Sequence, residues 1–137
     1  MKTRLLITLK LSIALAAALI MSACVKPGPA RRGGDFAGEY RLVSVNGEPV
    51  PANITHGGAG LQIRSGTFTI RADGTCSTKT VFVPQSGTDV AREVSATFAV
   101  DGSKLTMRWK GAGTTVGTIE GNTFTMHNEG MAFVYSR

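Results

Sequence analysis

Between residues 66 and 136 several segments carry bulky apolar side chains on every second position, and no stretch there carries a long helical period. Phe68 and Ile70 alternate with Thr67, Thr69 and Arg71, while Leu105, Met107 and Trp109 alternate with Lys104, Thr106, Arg108 and Lys110. Val94, Ala96, Phe98 and Val100 repeat the pattern, as do Phe124 with Met126, and Met131 with Phe133 and Tyr135. Successive side chains of an extended chain point to opposite faces, so each segment has one oily face and one wet face. That is the signature of antiparallel sheet. Strands of a parallel α/β sheet are covered on both faces and form unbroken apolar runs instead.

Turn dipeptides separate the segments: Asn46-Gly47, Ser65-Gly66, Asp73-Gly74, Ser86-Gly87, Asp101-Gly102, Gly121-Asn122 and Glu129-Gly130. Asn-Gly and Asp-Gly accept the positive φ that two-residue hairpins require, so consecutive strands should be antiparallel neighbours. Strands are expected near 37–45, 60–64, 67–72, 75–83, 91–100, 104–110, 114–120, 123–128 and 131–136, with Val50 to Gly60 as a loop holding at most one short turn. An open meander of that size would expose two long edges, and closing the sheet on itself removes them. The expected fold class is all-β: a small antiparallel up-and-down barrel of eight or nine short strands.

The first residues follow different rules. Met1-Lys-Thr-Arg4 is basic, and Leu11 to Met21 is apolar apart from Ser12. That run suits the core of a secretory signal and is short of the ~20 residues that span a bilayer. It ends in Met21-Ser22-Ala23-Cys24, which resembles the cleavage site of bacterial lipoproteins. The resemblance implies a cleaved signal helix over 1–23 and acyl chains on Cys24, anchoring the protein to a lipid bilayer without crossing it. Val25 follows in place of the Asp that would favour inner-membrane retention, which implies the periplasmic side of the outer membrane in a Gram-negative cell.

Residues 24–34 hold two prolines, three glycines and three positive charges, the composition of a flexible basic linker. The domain is then 35–137. With Cys24 acylated, Cys76 has no disulfide partner and is expected as a buried structural thiol. The net charge of +6 invites a nucleic-acid partner. Location removes that inference: six basic residues precede Asp35, leaving nine basic and nine acidic residues in the domain. Arg64, Arg71, Arg108 and Lys110 fall on outward positions, opposite the aromatics that would stack on bases, so no nucleic acid is expected.

Gly38-Glu-Tyr-Arg-Leu-Val-Ser-Val-Asn-Gly-Glu-Pro-Val-Pro51, Gly66 to Gly74, Gly117 to Met126 and the closing Phe133-Val-Tyr-Ser-Arg137 resemble the small lipocalin-like domains of bacterial envelope proteins. The opening strand with its Asn-Gly turn is also similar to META-type lipoprotein domains. The first resemblance implies a meandering barrel that carries a small apolar ligand inside. Tyr40, Phe68, Phe82, Phe98, Met107, Trp109, Phe124, Phe133 and Tyr135 are the candidate ligand-binding residues of such an interior. An eight-stranded barrel is only just wide enough for its own side chains. A packed interior with a shallow site at one mouth, under the 50–60 segment, is therefore set against a hollow cup.

Catalytic patterns are sparse. His56-Gly-Gly-Ala-Gly60 is like the loops that supply oxyanion amides in some esterases, but no Gly-x-Ser-x-Gly elbow accompanies it. His56, His127 and Cys76 have no metal-ligand spacing, and no phosphate-binding loop is present, so neither metal nor cofactor is expected. The expectation is a non-enzymatic, lipid-anchored envelope protein that binds a small apolar ligand. The alternative is a solid barrel that presents loops 50–60 and 84–90 to an envelope protein, as an inhibitor-type module would.

Overall fold

The computed structural model describes residues 33–137. The expected leader, the acceptor Cys24 and the linker up to residue 32 lie outside the described residues. A 3₁₀ turn at Gly33–Phe36 leads into β1 (Gly38–Val45), β2 (Glu48–Pro49), β3 (Ala52–His56), β4 (Ala59–Ile70) and β5 (Thr75–Pro84). There follow β6 (Val90–Asp101), β7 (Lys104–Trp109), β8 (Gly113–Glu120), β9 (Thr123–Asn128) and β10 (Met131–Ser136).

Eight strands close a barrel. From β4 to β10 each strand pairs antiparallel with the next, β10 returns to β1, and β1 pairs with β4 from Gly38↔Ile70 to Arg41↔Thr67. That last ladder covers only half of β1. Beyond it β1 and β4 diverge, and β2 and β3 fill the gap: β2 adds to β1 through Ser44↔Pro49, and β3 adds to β4 from Ala52↔Ile63 to His56↔Ala59. A cis Val50–Pro51 peptide connects the two.

Two expectations are corrected here. Residues 50–60 are not a loop, because Ala52–His56 is a strand with Ala52 buried and Gly57-Gly58 turning at positive φ into β4. The strand is short and framed by Pro and Gly, so its alternation has too few positions to register. Ser65-Gly66 is not a turn either, since 60–64 and 67–70 belong to the continuous β4, with a register shift between Ile63 and Ser65. Gly66 serves packing instead: a Cβ there would lie 3.1 Å from Leu42 Cβ and Cδ2.

The end of the barrel nearest Phe36 and Arg137 is packed solid. Tyr40, Phe68, Leu105, Met107, Ile119 and Phe124 are all fully buried, each bulky side chain worth about 1.5–3 kcal/mol when removed from water. The Phe68 and Phe124 rings sit 4.5 Å apart, and the Phe124 ring occupies the space above Gly117 that a Cβ would take. Phe36 caps this end, its carbonyl accepting a 3.0 Å hydrogen bond from the Tyr40 hydroxyl. Arg137 completes the cap, its guanidinium 5.0 Å from the Tyr40 ring centre and donating to the Ala37 carbonyl at 3.0 Å. The buried inward set also includes Val45, Ala52, Cys76 and Ala96, residues small enough to fit between the aromatics.

Candidate functional site

At the opposite end the packing stops short. The β3–β4 hairpin, the β7–β8 turn and the β9–β10 turn surround a cavity of about 260 Å³. Register explains the hole. The inward row of β5 runs Cys76, Thr78, Thr80, Phe82, opposite Ala96, Val94, Arg92 and Val90 of β6. Threonines and a valine stand there at levels where β10 supplies Phe133 and Tyr135. The short side chains do not reach across.

Ile54 and Leu61 form one wall, Met126 and Met131 another, and the Trp109 indole a third. Trp109 is fixed in place, because its Nε1 donates to Thr115 Oγ1 at 2.8 Å and that hydroxyl lies 3.5 Å from Asn128 Oδ1. The Phe68 ring meets the indole edge-on at 6.3 Å from below, so the cavity floor is the roof of the aromatic core.

Two polar groups face one another in this apolar setting. Thr78 is 8% exposed, and its Oγ1 is buried with no hydrogen-bond partner among the described residues. The Tyr135 phenol is close enough to feel the Thr78 hydroxyl but does not reach it in hydrogen-bond geometry. Burial pushes the Tyr135 phenol up to about 12, so it remains a proton donor at neutral pH. Most buried polar groups have partners, which makes the bare Thr78 hydroxyl a feature of the site.

The rim is charged. His56 Nε2 lies 3.1 Å from Glu129 Oε2, joining the β3–β4 hairpin to the β9–β10 turn. Arg92 and Lys110 also line the cavity, and neither has an ion pair among the described residues. His127 lies on β9 opposite outward-facing Val116 and is exposed, on the other face of the strand from Met126. Cys76 is fully buried, and burial raises its thiol to about 11 despite the nearby Arg71 charge, the opposite of what activates a nucleophile.

Among the candidate ligand residues, Phe82, Trp109, Phe133 and Tyr135 line the cavity. Tyr40, Phe68, Met107 and Phe124 are fully buried in the packed end, and Phe98 packs against the core without reaching the cavity. Sequence reasoning missed Thr78, Thr80 and Arg92. The signal was available in phase: Arg92 is two positions from Val94 on the same alternating row, so it points inward at the mouth.

A meander of eight antiparallel strands, closed first to last, is the arrangement found in lipocalins. In architecture the barrel is lipocalin-like. A solved lipocalin-like protein from Bacteroides uniformis is similar to it, with 12% identity and a TM-score of 0.48, over 76% of this chain and 99% of that one. No protein-family model matches the sequence, and no curated protein does.

Proposed function

We propose that this is a binding protein, which holds a small amphipathic molecule in the mouth cavity without transforming it, and that acyl chains on Cys24 moor it to the cell envelope. The observation that carries the binding role is the cavity: about 260 Å³, walled by apolar side chains, at one end of a barrel whose other end is filled. At the ~30 Å³ that one water occupies in the liquid, the space suits a ligand of about ten non-hydrogen atoms. That is the small end of ligand sites. Binding is favoured over catalysis because the Cys76 thiol is held protonated and His127 faces away from the cavity that His56 borders. The anchor is supported by the Met21-Ser22-Ala23-Cys24 sequence after an apolar run.

Native mass spectrometry of the purified full chain, with displacement of a fluorescent fatty-acid probe, tests the binding role. A co-purified small molecule and saturable displacement are expected. Absence of both would leave the β3–β4 hairpin and the 84–90 segment, and a protein partner, as the better explanation. Metabolic labelling with radioactive palmitate tests the anchor, and label that persists in a Cys24→Ala chain would overturn it.

A further inference from the structure

We infer that the molecule held in the cavity is an anionic amphiphile with a second hydrogen-bonding group along its chain, the head at Arg92 and Lys110 and the second group at Thr78. The inference rests on the binding role proposed above and adds the chemical class of the ligand.

The head is placed by charge. The domain carries equal numbers of acidic and basic residues, so a local excess of positive charge is not a background property of the barrel. Around the cavity the acidic side chain is Glu129, and it is committed to His56 at 3.1 Å. Among the described residues Arg92 and Lys110 remain without a carboxylate. Arg92 is on the inward row of β6, opposite Thr80, so its exposed guanidinium stands at the cavity mouth and not on the outer face of the barrel. Both cations are exposed, which suits a head group that keeps part of its hydration while its chain enters the barrel.

The second group is placed by the bare hydroxyl. Thr78 faces Val94, two residues deeper along β6 than Arg92, which puts its level about 7 Å below the rim at the rise of an antiparallel strand. A purely hydrocarbon chain passing Thr78 would leave its hydroxyl unpaired. A hydroxyl or carbonyl a few carbons from the anionic head would meet it, with the Tyr135 phenol as a second donor at the same depth.

Isothermal titration calorimetry on the purified full chain tests this with octanoate, octanol and an octanoate hydroxylated in mid-chain. Octanoate should bind about tenfold tighter than octanol, the scale of a charge-assisted contact at a partly exposed site. The Arg92→Gln, Lys110→Gln double substitution should bring that ratio to about one. The hydroxylated acid should exceed octanoate by about fivefold, an advantage lost in Thr78→Val and kept in Thr78→Ser. Circular dichroism checks that each variant folds, and the serine variant carries the test if the valine variant does not. Equal binding of octanoate and octanol by the unmodified chain would overturn the anionic head and leave the binding role standing. An unchanged hydroxyl advantage in Thr78→Val would remove Thr78 from the site. If no compound of the three binds, the binding role itself fails.

Discussion

Glu129 reaches across the cavity mouth to His56, 3.1 Å from carboxylate oxygen to ring nitrogen, and does so from a backbone conformation that suits it poorly. Its φ of 51° is in the left-handed region, where Asn or Gly is the usual occupant of a two-residue hairpin. The left-handed conformation costs an ordinary L-residue about 1–2 kcal/mol, so Glu is accepted there against the turn's own preference. A half-exposed polar contact of this kind returns less than about 1 kcal/mol. Glu129→Asn should therefore leave the melting temperature unchanged or raise it, while amide hydrogen exchange in 53–62 speeds up and exchange at the packed end does not. Uniform acceleration along the chain would show that the contact supports the whole barrel and not the mouth.

Among the described glycines, Gly117 leaves the least room for a side chain, because of Phe124. A methyl group on Gly117 would collide with the Phe124 ring, 2.7 Å from Cζ, and would stand 3.1 Å from the Thr125 carbonyl oxygen. Phe124 also contacts Phe68 and Tyr135, so its ring cannot move without disturbing both. Gly117→Ala should destabilise the fold by about 1–3 kcal/mol, a typical cost of overpacking. Thermal unfolding followed by circular dichroism measures it, and an unchanged midpoint would mean the ring has room to shift.

Legibility in the sequence follows how many positions each strand repeats its pattern. β7, β9 and β10 begin and end within a residue of where alternation and Gly-containing turns place them, because each buries two large apolar residues on one face. β4 was split in two because the register shift near Arg64 inverts the phase, so Ile63 and Phe68 point inward with an even number of residues between them. β3 has five residues and an edge position, too little for a periodic signal. The site was harder still. Its defining residues, Thr78 and Arg92, are polar side chains on an inward row, where apolar alternation carries no mark of them.

Trp109 is the single tryptophan of the chain and borders the cavity, so its fluorescence reports on the site. Thr115→Val removes the hydroxyl that accepts the indole N–H at 2.8 Å. Leaving that donor partly buried and unpaired should cost about 1–3 kcal/mol of stability. The Trp109 emission maximum should shift as the ring loses its fixed position, and ligand-induced changes in emission should shrink. If Thr115→Val leaves both the emission and the urea midpoint as they were, the indole is held by packing alone.

Alkaline pH should weaken the fold through groups at the centre of the barrel. Burial raises the Cys76 thiol to about 11 from an ordinary 9.0 and the Tyr135 phenol to about 12 from 10.0, and burial raises Tyr40 as well. Each is neutral when protonated. In the unfolded chain the thiol begins to ionise near its ordinary value, while the folded chain still holds that proton, so rising pH favours the unfolded state. The stability contributed by the protonated forms is complete below the ordinary thiol value and declines above it by about 1.4 kcal/mol per pH unit for each group in its window. The decline due to Cys76 ends once the folded thiol itself ionises, near 11, and the decline due to Tyr135 continues to about 12. Urea midpoints should be level from about pH 7 to about pH 9 and fall beyond that, at the slope linkage gives. Cys76→Ala removes the thiol's share, so its midpoints should start lower, for the lost packing, and fall less steeply between 9.0 and 11. Parallel curves for the two proteins would mean that the buried thiol has no part in the alkaline loss of stability.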